Sequence, residues 1–479
     1  MSLKKEKTPM RNQSPKERNK NFKEVPLGYN KSEALSEAER CLQCPTSPCV
    51  DACPVEVPIP QFIKAILEEN FEESIDIMKS KNNLPAICGR VCPQEEQCEK
   101  FCIMGKKNEP VAVGRLERFI GDYALEKTGE NLKNDTLNKD SKNRKKNIEK
   151  VNVKNSKGIK VAVIGAGPAG LTAAADLASA GYAVTLFEAL HDTGGVLRYG
   201  IPEFRLPKNI LDQEVAAIKE LGVDIQLNVI AGKTITLDDL FAEGYQSIFI
   251  GTGAGLPTLM DIPGKNLNGV YSANEFLTRV NLMKAYKYPE YETPVKIGKK
   301  VAVIGGGNVA MDSARTALRL GAKKVYIVYR RAEDQMPARN EEIEHAKEEG
   351  IIFKVLNNPI AFHGTDGRIS QMECIKMKLG EKDSSGRPRP IAIEDSNWML
   401  DVDSVVIAIG QSPNPLLTGN TPELKTESWG GIIVGEDLST SIEGVYAGGD
   451  TVTGAATVIK AMGAGKQAAK AMINYIENK

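Results

Sequence analysis

The clearest hydrophobic pattern in the chain is a short apolar run followed at once by closely spaced glycines, and it occurs twice. Residues 161–164 form a β-branched run of the kind that makes a buried parallel strand. Small apolar residues at 171–180 then predict a helix, and residues 183–187 predict a second strand. The same order returns where KVAVIGGGNVA at 300–310 repeats KVAVIGAGPAG at 160–170. The repetition indicates two α/β units of the Rossmann type.

Three further stretches suggest how these two units are arranged along the chain. Residues 247–255 and 404–410 are apolar strands that end in glycine turns, and both are expected to complete the first unit. Residues 445–466 predict a strand, a turn and a helix. This order predicts a first unit that is split in two by insertion of the second unit.

The N-terminal third of the chain has a different pattern. Residues 32–123 carry apolar residues at helical spacing, for example Phe62, Ile63, Ile66 and Leu67. Residues 126–158 are rich in Lys and Asn and lack aromatics, which predicts a solvated linker; the interspersed acids argue against a nucleic-acid patch. The predicted organisation is a polar arm (1–30), an α-helical domain (31–125), the linker (126–158), a first α/β domain (159–290 and 405–479) and a second (291–404).

Charge and composition exclude several classes of protein. Lys plus Arg and Asp plus Glu both number 62 among 479 residues, so the chain lacks the basic excess expected of a nucleic-acid or membrane-surface protein. No apolar stretch is long enough for a membrane span, and the polar N-terminus does not read as a signal peptide. We therefore expect a cytoplasmic protein, in which nine cysteines point to metal or redox chemistry rather than disulfides.

The first glycine-rich turn has the features of a dinucleotide site. Gly165 permits the tight turn, Gly167 lets a pyrophosphate approach the backbone, and Gly170 lets helix and strand pack closely. Glu188 ends the second strand, where it can accept hydrogen bonds from a ribose diol. Asp450 can accept from a ribityl chain, and the helix after it can direct its N-terminus at a flavin ring, although an Asp in a glycine turn is ordinarily turn chemistry. The order of the elements favours FAD.

The second glycine-rich turn favours a different nucleotide. It carries Gly305, Gly307 and Ala310, the G-x-G-x-x-A variant. Its second strand ends in Arg330 and Arg331 rather than in an acid. Guanidinium donors suit a 2′-phosphate, so this site is expected to bind NADP(H); the alternative is that both arginines merely solvate a strand end.

Eight of the nine cysteines fall in two sets. The first is Cys-x2-Cys-x4-Cys-x3-Cys-Pro at 41–54, and the second is Cys-x3-Cys-x5-Cys-x3-Cys at 88–102. Closely spaced cysteines with a last one before Pro are typical of two-cluster iron–sulfur proteins, whereas structural zinc favours paired C-x2–4-C units. Iron–sulfur clusters are the favoured interpretation. Cys374 stands alone and is predicted to be a packed thiol.

Four longer motifs carry a resemblance to a known family: PVAVGRLERF (110–119), GGVLRYGIPEFRLPK (194–208), YRRAEDQMPAR (329–339) and AGGDTVTGAATVIKAMGAGK (447–466). With both cysteine sets, they make the chain resemble the small chain of NADPH-dependent glutamate synthase. The matching domains of dihydropyrimidine dehydrogenase and of the large subunit of NADH-dependent ferredoxin:NADP oxidoreductase are similar too. The sequences PAR at 337–339 and HAKEEGI at 345–351 resemble the ferredoxin:NADP and sulfide-dehydrogenase branch more than bacterial glutamate synthase.

The resemblance implies two [4Fe–4S] clusters with defined ligands. One would take Cys41, Cys44, Cys49 and Cys102; the other would take Cys53, Cys92, Cys98 and Glu117, which leaves Cys88 without a role. The residues expected at FAD are Gly165, Gly167, Pro168, Ala169, Gly170, Glu188, Gly195, Arg205, Gly449, Asp450 and Thr457. Those expected at NADPH are Gly305, Gly307, Asn308, Val309, Ala310, Arg330 and Arg331.

The function that follows is electron input. NADPH would pass a hydride to FAD, and single electrons would leave through the clusters to a partner on the N-terminal domain. The expected partner is the glutamate synthase large chain, or an NADH-oxidising flavoprotein subunit and ferredoxin; neither nucleic acid nor membrane is expected. A thioredoxin-reductase-like enzyme would need a cysteine pair near the flavin, and Cys374 is the only cysteine beyond residue 102. A non-catalytic NADP(H)-sensing flavoprotein is the alternative from another class.

Overall fold

Helices make up the N-terminal part of the protein in the computed structural model, which describes residues 4–137, 157–383 and 386–479. They are α1 (Pro15–Arg18), α2 (Lys31–Ala38), α3 (Pro48–Asp51), α4 (Ile59–Leu67), α5 (Phe71–Lys79), α6 (Pro85–Val91) and α7 (Val113–Leu137), with 3₁₀ turns at Gln94–Glu96 and Ile103–Lys106. In α4, Ile59, Phe62, Ile63 and Ile66 recur at helical spacing and all are buried. The α-helical character predicted for this region is confirmed.

Helix α7 continues past the predicted start of the linker at residue 126. Its last residues, up to Leu137, include Leu, Glu and Lys, which are strong helix formers. The boundary at residue 125 was therefore wrong. The rest of the predicted linker, apart from residues 157 and 158, lies outside the described residues.

The remaining chain alternates strands and helices. The strands are β1 (Lys160–Ile164), β2 (Ala183–Glu188), β3 (Asp224–Leu227), β4 (Tyr245–Ile250), β5 (Leu256–Pro257), β6 (Val270–Ser272), β7 (Lys300–Ile304), β8 (Lys324–Tyr329), β9 (Ile352–Val355), β10 (Asn357–Thr365), β11 (Arg368–Lys382), β12 (Pro388–Ala392), β13 (Trp398–Asp401), β14 (Ser404–Ile407), β15 (Gln411–Ser412) and β16 (Val445–Ala447). The helices are α8 (Pro168–Ser179), α9 (Val196–Tyr199), α10 (Lys208–Glu220), α11 (Leu237–Ala242), α12 (Ala273–Asn281), α13 (Asn308–Arg319), α14 (Asn340–Glu348), α15 (Asp450–Thr453) and α16 (Val458–Glu477). Across the described ranges, no helix combines the length and apolar character needed to cross a lipid bilayer.

The strands build two parallel five-stranded sheets. The first has the order β16-β4-β1-β2-β3 and the second has the order β6-β14-β7-β8-β9. Strand β16 belongs to the first sheet, although it follows every strand of the second sheet along the chain. The predicted split of the first α/β unit is therefore confirmed. Strands β5 and β15 pair antiparallel where the chain leaves the first unit and returns to it. Strands β10 to β13 form an antiparallel extension of the second unit.

The assignment of residues 404–410 to the first unit was wrong. Strand β14 lies between β6 and β7 in the second sheet, in the position that β4 holds beside β1 in the first. Ile407 pairs with Ile304 just as Ile250 pairs with Ile164. The two strands read alike because they are equivalent parts of the repeated unit, and only sheet membership tells them apart. The second unit therefore begins before β6 and extends through β14, outside the predicted limits of 291 and 404.

The N-terminal arm is packed against the rest of the protein. Its Thr8 N–H donates to Glu37 Oε2 over 2.6 Å in the helical region, and its Val25 N–H donates to the Phe204 carbonyl over 2.9 Å in the first unit. Arg18 is only 2% exposed and its Nε lies 3.0 Å from Glu349 Oε1 in the second unit. The predicted polar arm is therefore bonded to three parts of the fold: the helical region and both α/β units.

Candidate redox and nucleotide sites

Two cavities in the N-terminal region are lined by the predicted cluster ligands. The first cavity is lined by Cys41, Cys44, Cys49 and Cys102, together with apolar residues that include Ile59, Ile63 and Val113. The second cavity is lined by Cys53, Cys92, Cys98 and Glu117, together with Gln94, Gln97, Ile59, Val113 and Ile459. The fold thus groups the side chains in the two sets of four that the family resemblance implies, and Ile59 and Val113 separate them.

The fold brings Cys102 to the first set from a distant part of the chain. Cys41, Cys44 and Cys49 lie between α2 and the middle of α3, where Gln43 and Ser47 adopt positive φ angles of 49° and 39°. Cys102 stands just before the 3₁₀ turn Ile103–Lys106, and its Sγ accepts the Val111 N–H over 3.5 Å. Amide donors to sulfur are a means by which proteins tune iron–sulfur clusters.

Cys88 lines neither cavity. Its side chain is fully buried, with Sγ 3.5 Å from Met462 Sδ and 3.6 Å from Asn82 Oδ1. These contacts support the prediction that Cys88 is not a ligand, although its spacing to Cys92 resembles that of a ligand pair.

The donor sets suit iron–sulfur clusters. Three or four cysteine side chains surround each cavity, and thiolates are the ligands that such clusters need.

Burial makes these ligands costly to ionise without a bound cation. Burial raises the pKa of the Cys49 and Cys53 thiols to about 11 each. Burial also raises the pKa of Glu117 to about 8, against the opposing effect of the Asn82 amide, which donates to Glu117 Oε1 over 2.7 Å. Bound metal deprotonates such ligands, so the sets are suited to cluster iron.

The first glycine loop needs its glycines for reasons that the fold makes explicit. Gly165 has a φ of 103°, and a Cβ there would stand 2.5 Å from the Gly251 carbonyl oxygen. A Cβ on Gly170 would clash with the Gly165 carbonyl oxygen. A Cβ on Gly167, in contrast, would meet nothing within 4 Å. That open side at the N-terminus of α8 is where a pyrophosphate can approach the backbone.

Other predicted FAD residues converge on this loop. A Cβ on Gly195 would stand 2.9 Å from the Gly167 Cα, and one on Gly449 would stand 3.1 Å from the Ala169 Cβ. Glu188 is buried, and its carboxylate accepts the Ala166 and Leu190 N–H groups over 2.7 and 2.9 Å. Burial raises the pKa of Glu188, and these backbone donors oppose that effect. The loop, the 195 turn and the 449 turn therefore form one site.

Asp450 and Thr457 flank the start of the last helix. Asp450 Oδ1 accepts the Ala456 N–H over 3.1 Å, and burial raises its pKa. Thr457 is the N-cap of α16, where its Oγ1 accepts the Lys460 N–H over 3.4 Å. Asp450 can therefore both stabilise the turn and bind a cofactor, because the Ala456 N–H uses only one of its two carboxylate oxygens.

Arg205 has partners of a different kind from those implied for it. Its Nη1 donates to both carboxylate oxygens of Asp312, over 3.0 and 2.8 Å, and its Nε lies 3.1 Å from Glu342 Oε1. Both acids belong to the second unit. Arg205 thus connects the two α/β units, and these contacts do not favour its assignment to FAD.

The second glycine loop repeats the geometry of the first. Gly305 has a φ of 140°, and a Cβ there would clash with the Ala408 carbonyl oxygen. A Cβ on Gly307 would have the Pro337 ring as its nearest neighbour, at 3.9 Å. Val309 is exposed on α13 and Ala310 is buried. The open side of the loop again lies at a helix N-terminus, as phosphate binding requires.

The two arginines after β8 differ in their surroundings. Arg331 is buried; it donates to Asp383 Oδ2 over 2.8 Å and to the Pro388 carbonyl over 3.0 Å. Arg330 is exposed. Arg331 therefore anchors the antiparallel extension, whereas the side chain of Arg330 stays exposed at the end of β8.

Sequence reasoning missed three polar residues around the second cavity. Asn82 holds Glu117, and Gln94 and Gln97 line the cavity wall. Gln97 Nε2 lies 3.5 Å from Thr457 Oγ1 in the first α/β unit, and Ile459 of that unit lines the same cavity. No local pattern marks these residues, because their partners are distant in the chain. They place the second cavity next to the expected flavin site.

Comparisons with known proteins agree with this division of the chain. The family model described as dihydropyrimidine dehydrogenase domain II, 4Fe-4S cluster, matches residues 18–129. The model described as pyridine nucleotide-disulphide oxidoreductase matches residues 159–465. The two matches are separated by residues 130–158, which lie between the last predicted cluster ligand and the first glycine loop.

Curated relatives match over nearly the whole chain. The glutamate synthase [NADPH] small chain of Halomonas elongata is 34% identical over 465 residues, which are 96% of this chain and 94% of that protein. Its counterpart in Escherichia coli is 32% identical, over 95% of this chain and 94% of that protein. The β subunit of the NADP(+)-dependent formate dehydrogenase of Moorella thermoacetica is 41% identical over 441 residues; they are 90% of this chain but only 60% of that relative.

Solved structures share the fold of the two α/β units. FprA from Mycobacterium tuberculosis, in complex with NADPH, has a TM-score of 0.55 at 21% identity, over 67% of this chain and 85% of that chain. Thioredoxin reductase of Lactococcus lactis has a TM-score of 0.50 at 23% identity, over 67% of this chain and all of that chain. The predicted fold class, an α-helical iron–sulfur domain before a split Rossmann-like unit with a second inserted, is confirmed.

Proposed function

Because the chain belongs to the family of the small chain of NADPH-dependent glutamate synthase, we propose that it is an NADPH-dependent FAD and iron–sulfur oxidoreductase. It takes electrons from NADPH and delivers them through two [4Fe–4S] clusters to a partner protein. When bound, FAD accepts a hydride from NADPH and releases electrons singly to the clusters. The residues of this chain bind, orient and insulate these groups.

Each binding element has a defined task in this function. The N-termini of α8 and α13 offer unpaired N–H groups to the two pyrophosphates, and Gly167 and Gly307 leave room for them. Glu188 would accept hydrogen bonds from the adenosine ribose of FAD, and Asp450 would accept them from its ribityl chain. The four side chains of each cavity would hold one cluster. Hydride transfer depends on position more than on acid–base groups, so the scarcity of histidine is no obstacle.

The observation that carries the proposal is the continuous row of sites. Thr457, at the expected flavin site, contacts Gln97 of the second cavity wall, and the second cavity shares Ile59 and Val113 with the first. Electrons would therefore leave the flavin through the second cavity and then the first.

The first cavity lies close to an exposed apolar surface, where the partner would dock. Leu42, next to Cys41, is 45% exposed, and Phe101, next to Cys102, is 53% exposed. The expected partner is a glutamate synthase large chain; the alternative is an NADH-oxidising flavoprotein subunit with ferredoxin. The proposed location is the cytoplasm, and neither nucleic acid nor membrane is a proposed partner.

The test of this function is the activity of the purified chain without oxygen. We expect it to reduce dyes or viologens with NADPH but to form no glutamate from glutamine and 2-oxoglutarate. The strands of the described residues are used by the two sheets, the antiparallel extension and the β5–β15 ribbon, which leaves none for a (β/α)8 barrel of at least about 200 residues. Robust glutamine-dependent glutamate formation by this chain would contradict the proposal.

The same assay separates the alternatives. Ferredoxin reduction that appears only when an NADH-oxidising flavoprotein subunit is added would favour the ferredoxin:NADP branch. A non-catalytic sensor would bind NADPH without turnover of the flavin. A disulfide reductase is not favoured, because Cys374 is fully buried in β11, as predicted for a packed thiol, and it stands alone in that unit.

Arg330→Ala is expected to raise the KM for NADPH by roughly 10- to 150-fold while barely changing the KM for NADH. The reason is the loss of a charge-assisted bond to the 2′-phosphate, worth about 1.5–3 kcal/mol. Steady-state kinetics with both nucleotides measures it. Arg331→Ala is the matched control: it should lower thermal stability through its lost bonds to Asp383 and Pro388. Equal losses for both nucleotides in Arg330→Ala would show that this residue does not read the phosphate.

A further inference from the structure

One side chain of the second α/β unit reaches the wall of the second cavity. Arg339 Nη1 donates to the Arg90 carbonyl over 3.0 Å, and its Nη2 donates to Gln94 Oε1 over 3.2 Å. Gln94 itself lines the cavity with Cys53, Cys92, Cys98 and Glu117. A guanidinium from the nucleotide-binding unit is therefore separated from the proposed cluster by a single side chain.

The backbone around Arg339 is attached to the second glycine loop. Its N–H donates to Asn308 Oδ1 over 3.0 Å, and the Ala338 N–H donates to the Gly306 carbonyl over 3.2 Å. The Pro337 ring is the nearest neighbour of a Cβ placed on Gly307. Residues 337–339 thus lie along the loop that the nucleotide is expected to contact.

Two carboxylates complete the surroundings of the guanidinium. Glu341 Oε2 lies 3.0 Å from Nη2 and Glu95 Oε2 lies 3.6 Å from Nε, while the Arg339 side chain is only 9% exposed. On the cavity side, Gln94 packs tightly against α7, because a Cβ on Gly114 would clash with its amide. The guanidinium therefore has partners on both sides, Glu341 and Glu95 on one and Gln94 on the other.

We propose that Arg339 is a positioning residue that couples occupancy of the NADP(H) site to the reduction potential of the cluster in the second cavity. This inference rests on the proposed function. The potential of an iron–sulfur cluster depends on the net charge and hydrogen bonds around it, and a cation favours the reduced state. Because charges interact strongly away from water, a small displacement of the guanidinium changes that potential. Coupling of this kind is reciprocal, so the reduced cluster also changes nucleotide affinity.

The test is a redox titration of the holoprotein followed by electron paramagnetic resonance. The probe is 2′-phospho-ADP-ribose, which carries the 2′-phosphate and the pyrophosphate but cannot be reduced. In the wild type we expect saturating probe to shift the midpoint potential of one cluster. In Arg339→Gln that cluster should titrate at a lower potential, because Glu95 and Glu341 lose their counter-charge, and the probe should no longer shift it. The Kd for the probe should then be the same for the oxidised and the reduced protein, whereas in the wild type the two values should differ by the factor that corresponds to the shift in potential.

Two further variants distinguish loss of the coupling between nucleotide and cluster from a general structural effect of the Arg339 substitution. Arg339→Lys keeps the cation but not the planar fork, so it should leave the probe-free potential near the wild-type value and reduce the shift. Arg330→Ala should weaken probe binding, but without probe the cluster potential should equal that of the wild type.

A wild-type cluster that titrates identically with and without the probe would overturn the inference. So would an Arg339→Gln protein with unchanged potential and unchanged shift. If Arg339→Gln does not assemble its clusters, the loss or retention of the shift in Arg339→Lys decides. Failure of the proposed function would look different: the wild type would then lack the signal of two clusters.

Discussion

We expect Cys102→Ala to halve the iron content of protein prepared without oxygen, from about eight to about four atoms per chain, because one of two [4Fe–4S] clusters should be lost. Cys102 lines the first cavity with Cys41, Cys44 and Cys49, and these three donors alone leave one iron without a protein thiolate. The second cavity keeps all four of its donors. Iron and sulfide analysis, with electron paramagnetic resonance of the reduced protein, measures the change. Reduction of the flavin by NADPH should persist, because it precedes the clusters.

Cys88→Ala is the matched control for this variant. It removes a cysteine from the same sequence motif, 88–102, but Cys88 lines neither cavity. Its Sγ lies against Asn82, Met462 and the proposed ligand Cys92. Its iron content should stay at about eight atoms. Loss of a cluster in Cys88→Ala, with retention of both in Cys102→Ala, would reverse the ligand assignment.

We expect Gly167→Ala to fold but to lose most of its FAD. Gly167 has a φ of −78°, which alanine adopts freely, and its Cβ would meet no atom of the chain within 4 Å. The added methyl would instead occupy the space of the pyrophosphate. Overpacking of about 1–3 kcal/mol corresponds to a roughly 5- to 150-fold weaker affinity. Flavin absorbance per chain and a Kd for added FAD measure the effect, and circular dichroism checks the fold.

For Gly170→Ala we expect a structural defect in addition to the loss of FAD. There the Cβ would clash with the Gly165 carbonyl, so the variant should lose thermal stability as well as FAD. Full flavin content in Gly167→Ala would place the pyrophosphate elsewhere.

Local chemistry made a large part of this protein predictable. The glycines at 165, 170 and 305 are required by positive φ angles or close backbone contacts within one strand–turn–helix unit, so a short stretch of sequence reveals them. Buried parallel strands and amphipathic helices are likewise written in their hydrophobic pattern. The ligand type of the clusters follows from the cysteines themselves. Their division into two sets came from the family resemblance, and the two cavities agree with it.

Contacts between units were decided by the tertiary structure alone. The hydrophobic pattern of residues 404–410 fits a strand in either sheet. Only the pairing of β14 with β6 and β7 assigns them to the second sheet. Arg205 and Arg331 carry the charge expected of cofactor ligands, yet the fold supplies Asp312 and Asp383 as their partners. The link from Thr457 to Gln97 and the reach of Arg339 to Gln94 are of the same kind. A strand or a glycine turn depends on neighbours within a few residues, whereas each of these contacts depends on how whole domains pack, and no local pattern records that.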